Sequence, residues 1–307
     1  MITIKEALTK KEMKDYVMFS FELYKNNPYW IPPIIAEELE TFDKTKNPAL
    51  QTAEAHFYLA YKDNKIVGKI AAIINWEEVN LLGKRKARFG WFDAIDDIEV
   101  TKALLDKVEE LGRKHNMDHM EGPMGFSNLD KVGILSEGFD QMGNMITWYS
   151  LPYYITHFEQ LGFIKEKEYT ESDFSFNGIN PEPFQKASEL IKKRYELRSL
   201  NFTKTKDIMP YVDKMFDLFN ETYAKLQSFV PINDIQKAYF KKKYISFINP
   251  EFIKFIVDKN DNMIAFAIVM PGFAQALKKA NGKLFPFGFY HLLQARKHSK
   301  EVVFYLI

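Results

Sequence analysis

The alternation of apolar and polar positions along the first part of the chain predicts closely spaced strands and helices. Apolar residues recur at helical spacing from Val100 to Leu111 and predict a helix that ends near residue 116. The segments that precede it are a strand at 2–7, a helix that Thr9 caps, a strand at 56–61, its hairpin partner at 66–75, and a strand at 87–93. The pattern is therefore that of a mixed α/β fold.

Glycine and proline interrupt this pattern in the middle of the chain. Five glycines fall within 122–143, which predicts a long functional loop. A helix at 153–161 stops at Gly162, and the alternating segment 163–176 predicts a further strand. The segment 178–183 contains two prolines and reads as a boundary between domains.

The second half repeats the order of the first. It reads as a helix at 184–194, a strand at 195–202, helices at 207–227 and 233–247, and hairpin strands at 252–258 and 263–270, followed by an insertion at 271–300 and a strand at 301–307. The hairpin turns at 64–68 and 261–265 are similar at an offset of 197 residues, a weak internal repeat.

This repeat predicts two mixed α/β domains, at 1–178 and 179–307, each a mostly antiparallel sheet flanked by helices. The strand at 301–307 is apolar throughout, so we expect it inside the second sheet, beside the hairpin and buried on both faces. Because a fold rarely finishes on such a strand, we expect the second domain to be incomplete at Ile307.

Charge and composition narrow the class of partner. The chain has 42 Lys and Arg against 41 Asp and Glu, and its net charge is +1. Only six of the basic residues are Arg, whose guanidinium group commonly donates paired hydrogen bonds to phosphates and base edges. We therefore expect no nucleic-acid partner. The Lys run at 241–243 reads as a solvated helix face.

Several kinds of site are excluded or disfavoured. The chain has no Cys, which excludes disulfides and thiolate chemistry. His115 and His119 have metal-ligand spacing, but a helix end between them disfavours a zinc site, and we expect no metal. The first residues do not read as a signal peptide and no apolar run is membrane-spanning, so we expect a cytoplasmic protein with no membrane partner.

Four short segments carry a likeness to a known family. They are Asn-Pro-Tyr-Trp-Ile-Pro-Pro at 27–33, Gly-Pro-Met-Gly-Phe-Ser at 122–127, Glu-Gly-Phe-Asp at 137–140 and Leu-Phe-Pro-Phe-Gly at 284–288. With the order of the elements, they resemble the GNAT superfamily of acyl-CoA N-acyltransferases, and in particular a bacterial group of tandem-GNAT proteins. The resemblance implies two tandem GNAT-like domains and acetyl-CoA or another acyl-CoA as the acyl donor.

The first half departs from the family pattern at two points. A GNAT domain holds the CoA pyrophosphate on a Gln/Arg-x-x-Gly-x-Gly/Ala loop, because only small residues let backbone N–H groups approach phosphate. The equivalent stretch 94–100 has no glycine and three carboxylates, so we expect Asp96 or Asp97 to cap the next helix instead. The general-acid tyrosine of the family is replaced by Phe158, which has no exchangeable proton. We therefore expect no acyl-CoA binding in the first half.

Two sets of candidate site residues remain. The resemblance implies that the last strand binds the pantetheine arm of acyl-CoA through Phe304, Tyr305, Leu306 and Ile307, with a phosphate loop supplied only beyond Ile307. The polar groups of the glycine-bearing loop are candidates for binding an amine substrate, or else they satisfy the turns of the loop; they are Ser127, Asn128, Asp130, Glu137 and Asp140. The aromatic insertion at 271–300 either forms one side of a binding site for an apolar acceptor substrate or packs against the first half.

The resulting prediction is an acyl-CoA-dependent N-acyltransferase whose acceptor is a small-molecule or peptide amine. A neutral amine would attack the thioester, and N–H groups of the strand would stabilise the oxyanion. Two alternatives stay open. One is an aminoacyl-tRNA-dependent transferase, against which the balanced charge weighs, and the other is a non-catalytic binding or scaffold protein on a GNAT frame.

Overall fold

Two β-sheets covered by helices organise the computed structural model, which describes residues 1–127, 129–226, 229–245 and 248–307. The first sheet has the spatial order β1-β2-β3-β4-β5 and is antiparallel except for the pair β4–β5. Its strands are β1 (Ile2–Glu6), β2 (Ala53–Lys62), β3 (Lys65–Asn75), β4 (Lys86–Ala94) and β5 (His119–Glu121).

Helices cover both faces of this sheet. They are α1 (Lys10–Leu23), α2 (Ile35–Thr41), α3 (Ala49–Thr52), α4 (Trp76–Leu82), α5 (Ile98–Lys114) and α6 (Tyr153–Gln160). Alternate β3 residues point to opposite cores, as the period of a strand requires. Ile70 and Ile74 pack with α5, whereas Ala71 and Ile73 pack in the core that includes Tyr16 of α1. The predicted α/β pattern of this half is therefore confirmed.

Thr9 begins α1 with a capping box, as the sequence predicts. Its Oγ1 accepts from the backbone N of Glu12 at 3.2 Å, and Glu12 Oε2 accepts from the backbone N of Thr9 at 2.8 Å. We expect Thr9→Ala to lower the free energy of unfolding by about 1 kcal/mol. Urea unfolding followed by circular dichroism measures this change. The exposed loop residue Thr170 provides the matched control, and an equal loss in Thr170→Ala would contradict the capping argument.

The second sheet is antiparallel throughout, with the spatial order β6-β7-β8-β9. Its strands are β6 (Arg198–Asn201), β7 (Ile253–Val257), β8 (Met263–Pro271) and β9 (Val302–Leu306). The helices of this half are α7 (Glu182–Tyr195), α8 (Thr205–Tyr223), α9 (Asp234–Phe240), α10 (Ala274–Ala280) and α11 (Gly288–His298). Val212, Met215 and Phe219 of α8 pack in one core with residues of β7 and β8. Two separate sheets confirm the two-part mixed α/β architecture.

The structure strengthens the internal repeat. Between Lys69–Asp93 and Ala71–Gly90, β4 holds one residue more than β3. Between Ile268–Leu306 and Val269–Phe304, β9 holds one residue more than β8, and that extra residue is Tyr305. Each half therefore has a β-bulge in the strand that follows its hairpin. Bulges re-aim side chains and are common beside active sites.

Two contacts between the halves stand out in the described structure. Leu129, Met145 and Ile146, from the long segment after β5, pack against the core of the second sheet. At α2, the backbone N of Ile35 donates to the carbonyl of Gly282 at 2.9 Å, so the insertion packs against the first half, as one of its two interpretations predicts. The boundary near residue 178 stays a prediction.

Three sequence predictions need correction. The segment 163–176 forms no strand in the described structure and is almost wholly exposed, because its polar positions are mostly charged and it has no partner strand. The strand at 301–307 does lie in the sheet beside β8, but it is the edge strand. Its Val302 and Phe304 are 39% and 46% exposed, so the expected burial on both faces is wrong. The helix predicted at 233–247 is α9 followed by a π-helical turn at Lys241–Ile245.

Among the described residues, the structure contains no helix that combines the length and the apolar character needed to cross a membrane.

Candidate functional site

The loop that follows β5 folds back onto β4. The backbone N of Met124 donates to the carbonyl of Phe89 at 2.7 Å, and Met124 pairs with Val132 in an isolated β-bridge. The backbone N of Gly133 donates to the carbonyl of Pro123 at 2.7 Å and closes the loop at its base. Residues 124–127 and 129–132 therefore belong to a closed loop on the edge of the first sheet.

A buried ion network fixes the start of this loop. Arg88 of β4 donates through Nε to Glu78 Oε2 at 2.8 Å and through Nη1 to the Gly125 carbonyl at 3.2 Å. Lys86 Nζ lies 3.0 Å from Glu78 Oε1, and Asn75 Nδ2 donates to the Phe126 carbonyl at 2.9 Å. Arg88 and Glu78 are each 1% exposed. Because buried charges must be paired, the sheet and the loop hold one another in register.

Asp130 lies at the centre of the loop. Its Oδ2 accepts from the backbone N of Ser127 at 2.8 Å and from Ser127 Oγ at 3.3 Å. A Cβ at Gly125 would lie 2.3 Å from the Asp130 Cβ, so only glycine lets the two segments approach. Burial raises the pKa of the Asp130 carboxyl, and the Ser127 hydrogen bonds and the Arg88 charge offset part of that rise. A carboxylate with a raised pKa is a stronger base than an ordinary aspartate.

Tyr305 of the second half lies within electrostatic range of this carboxylate. It is the bulged residue of β9, and its ring packs at the border of the second core. Burial raises the pKa of Tyr305, and the negative charge of Asp130 raises it further. The phenol therefore keeps its proton at neutral pH and is available as a hydrogen-bond donor. One residue from each of the two predicted sets, the loop set and the strand set, thus comes within electrostatic reach of the other.

A small polar cavity of about 40 Å³ lies between the halves beside Asp130. It is lined by Thr41, Asn47, Pro48, Ala49, Phe126, Ser127, Asp130, Gln236, Tyr239, Phe240 and Lys243. Lys243 Nζ donates to Tyr239 OH at 2.9 Å. A cavity of this size and polarity holds one water or one ammonium group.

Sequence reasoning missed the basic groups of this region. Lys243 lines the cavity, although its Lys run reads as a solvated face. Burial lowers the pKa of Lys131, an effect that the charge of Glu38 opposes. The available signal was the position of Lys131 inside the glycine-bearing loop, next to Asp130.

The other predicted site residues lie apart from this centre. Glu137 and Asp140 are exposed on the loop surface, and Asn128 lies outside the described residues. Ile307 is exposed, and its carbonyl accepts from Tyr223 OH at 3.2 Å. Of the five loop candidates, Ser127 and Asp130 line the cavity.

The first half offers no fit for a CoA phosphate at α5. The Asp97 side chain accepts from the backbone N of Glu99 at 3.1 Å and pairs with Lys62 Nζ at 2.8 Å. The Lys62 hydrogen bond lowers the pKa of Asp97, which keeps it charged. The helix N-terminus is therefore already capped by a carboxylate, which would repel phosphate.

Tyrosines also occupy the end of β4 where the resemblance implies that pantetheine would bind. Tyr154 OH accepts from the backbone N of Ala94 at 2.9 Å, and Tyr153 OH donates to the Ala94 carbonyl at 2.6 Å. Phe158 is buried in an aromatic cluster with Phe89 and Phe92. In the second half, by contrast, β9 pairs with β8 alone among the described strands. Its outer edge fits a ligand that binds along a strand.

Among the described residues, no group of three or more His, Asp or Glu side chains is placed to hold a metal ion. His115 caps the end of α5 and His119 opens β5, so the two do not share a helix face.

Comparison with known proteins gives two curated relatives and a set of solved structures. Protein YghO of Escherichia coli strain K12 is 28% identical over 301 residues, which span 96% of this chain and 75% of the relative. Bacterial ceramide synthase of Caulobacter vibrioides is 25% identical over 288 residues, which span 93% of this chain and 74% of the relative. No protein-family model matches the chain.

The solved structures include a tandem GNAT protein from the clavulanic acid biosynthesis pathway. It is 11% identical with a TM-score of 0.46, and the match covers 88% of this chain and 74% of that one. A protein of Clostridium acetobutylicum described as a predicted acetyltransferase, solved with acetyl-CoA, matches at 12% identity and a TM-score of 0.34 over 56% of this chain and 96% of its own.

Proposed function

We propose that the chain is an acyl-CoA-dependent N-acyltransferase that joins an acyl group to an amine at the junction of its two halves. The observation that carries the proposal is that Asp130, a carboxylate with a raised pKa, lies within electrostatic range of Tyr305, a phenol that keeps its proton. A paired base and acid at one site is what acyl transfer to an amine requires.

Asp130 is assigned the role of general base. An amine is protonated at neutral pH and must lose a proton before it can attack. The cavity beside Asp130 is large enough for one ammonium group, and Ser127 holds the carboxylate in place through two hydrogen bonds. The ammonium group first loses one proton to solvent. The neutral amine then attacks, and its second proton passes to Asp130 as the new N–C bond forms.

Tyr305 and the edge of β9 are assigned to the donor side. Acyl-CoA, when bound, supplies an acyl group activated as a thioester. Backbone N–H groups on the open edge of β9 would stabilise the oxyanion. As the C–S bond breaks, Tyr305 donates its proton to the departing sulfur. The proton held by Asp130 then passes through solvent to the Tyr305 phenolate, which restores both groups to their starting state.

An apolar groove next to β9 suggests that one substrate carries a long apolar chain. The groove has a volume of about 550 Å³ and is lined by Phe174, Phe176, Ile179, Pro181, Phe184, Gln185, Ser188, Glu189 and Lys192. Phe174 stacks on Phe304 of β9 at 6.4 Å between ring centroids, so the groove begins beside the proposed site. Ligand pockets of this volume hold drug-sized or larger apolar groups. The name of the Caulobacter relative, a ceramide synthase, supports a lipid amide as the product.

The test is release of free CoA, measured with a thiol reagent. The chain has no Cys, so the protein contributes no thiol background. Acetyl-CoA and palmitoyl-CoA are each paired with ethanolamine and with a long-chain amine such as sphinganine, and products are identified by mass spectrometry. We expect the fastest release, with formation of the amide, for palmitoyl-CoA with sphinganine. Release that is independent of any amine, or no release with any pair, would refute the proposal.

A further inference from the structure

The insertion between β8 and β9 concentrates basic charge. Residues 273–300, called here the basic aromatic segment, contain five Lys, one Arg and no Asp or Glu. Because the whole chain has a net charge of +1 and this segment contributes +6, the remainder of the chain has a net charge of −5. Positive charge is therefore placed in one region of a chain that is otherwise acidic.

The same segment exposes large aromatic side chains. Phe285 and Phe287 are 76% and 71% exposed in the turn before α11. The turn is tightly closed, since a Cβ at Gly288 would lie 1.9 Å from the Lys283 carbonyl oxygen, and the backbone N of Phe289 donates to the Leu284 carbonyl at 2.7 Å. A rigid turn that exposes two phenylalanines is costly in water and indicates a surface that becomes covered.

The helix that follows turns an apolar face to solvent. Phe289, Tyr290 and Leu293 are exposed, and their spacing places them on one side of α11 with Lys297 one turn further along. The opposite side faces the protein, where Gly288 is buried. Exposed apolar residues in the first turns, followed by exposed basic residues, place apolar area and positive charge on one surface of the protein, a combination that suits an anionic lipid surface.

We propose that the basic aromatic segment docks the protein on an anionic lipid surface. The aromatic side chains would enter the interface, and the lysines would neutralise lipid phosphates. Charge favours an anionic surface as the partner. Among the described residues, none of the five lysines forms an ion pair within the chain, so their charges are available to lipid phosphates. The proposal departs from the expectation of no membrane partner, which rested on the absence of a spanning run.

Nucleic acid is the alternative polyanion, and the segment suits it less well. Phosphate and base recognition favour Arg, of which the segment has one. Its aromatic side chains lie on a turn and a helix, together with aliphatic Leu293, rather than along a groove that tracks a strand.

The experiment is co-flotation of the full 307-residue chain with vesicles, without any acyl donor or amine. Vesicles of pure phosphatidylcholine are compared with vesicles that contain about 30% phosphatidylglycerol, at about 0.1 and about 0.5 M NaCl. We expect binding to the anionic vesicles that is at least about tenfold stronger than to the neutral ones and that weakens at high salt. Equal binding to both vesicles, or no binding, would overturn the proposal.

Two variants and two controls assign the surface. Phe285→Ser combined with Phe287→Ser, and Lys279→Glu combined with Lys283→Glu, are each expected to reduce binding about tenfold or more. Leu81→Ser combined with Ile164→Ser, and Lys11→Glu combined with Lys14→Glu, change exposed residues elsewhere and should bind as the parent does. Circular dichroism verifies that each variant is folded.

Other occupants give distinct results. Tighter binding to a single-stranded oligonucleotide than to anionic vesicles, in fluorescence anisotropy, would point to nucleic acid and overturn the lipid assignment. A concentration-dependent dimer that the Phe variant abolishes, in analytical ultracentrifugation, would point to a second copy of the chain and overturn it too. Because no substrate is present, failure here leaves the proposed acyl transfer untouched.

Discussion

Asp130→Asn is expected to lower kcat for amide formation by about 10²–10⁴-fold, the range for loss of a positioned general base. The substitution keeps the size of the side chain and removes the charge that would accept the amine proton. Steady-state release of CoA measures the effect. Because burial raises the pKa of Asp130, the parent enzyme should lose activity as pH falls through a value above the ordinary range of Asp. The variant should lack that acidic limb.

The matched control is Asp140→Asn, a change of the same kind on the exposed surface of the same loop. It should leave kcat and its pH profile unchanged. Tyr305→Phe removes the proposed proton donor while keeping the ring, and should lower kcat without a comparable rise in KM. If Asp130→Asn and Asp140→Asn behaved alike, the site would have to lie elsewhere and the loop would be structural.

Arg88→Leu is expected to cost about 3–5 kcal/mol of folding free energy, the range for breaking a buried ion pair from one side. The change leaves Glu78 without its hydrogen bond from Arg88, in a site where both side chains are almost inaccessible to water. It also removes the donor to the Gly125 carbonyl, so the loop that carries Asp130 loses an anchor. Chemical unfolding measures the loss.

Arg85→Leu is the control for this prediction, since Arg85 lies three positions away in sequence and is exposed. Its pairing with Asp118 is long, at 3.7 Å, and exposed pairs contribute about 0–1 kcal/mol. A loss of stability in Arg88→Leu no larger than in Arg85→Leu would mean that the buried network relaxes at little cost.

The elements that the sequence predicts well are those in which periodicity and local signals agree. Thr9 caps α1, and the β2–β3 hairpin turns at Asp63 and Asn64, whose φ values of 52° and 60° suit those residue types. The edge position of β9 could not be predicted, because an apolar sequence predicts a buried strand and does not distinguish a central strand from an edge strand. The segment 163–176 fails for the opposite reason: alternation predicts a strand, but a strand also needs a partner.

The candidate site was only partly predictable. Its loop and its strand are visible as a glycine-bearing segment and an apolar terminal run, so Asp130 and Tyr305 are each among the candidates. The two residues are 175 positions apart in the sequence, and no local pattern encodes their proximity. Lys243 is hidden for a related reason, because a run of lysines gives no sign that one member faces a cavity between two halves.

Because the proposed site takes residues from both halves, the proposed activity requires that the two halves stay packed together. Each sheet has its own core, and the packing of Leu129, Met145 and Ile146 against the second core helps to hold Asp130 near Tyr305. Heating that loosens this contact should abolish the proposed acyl-transfer activity while both sheets stay folded. Turnover should then stop at a lower temperature than the midpoint of the main calorimetric unfolding transition. The difference between these two temperatures would measure the stability of the contact between the halves.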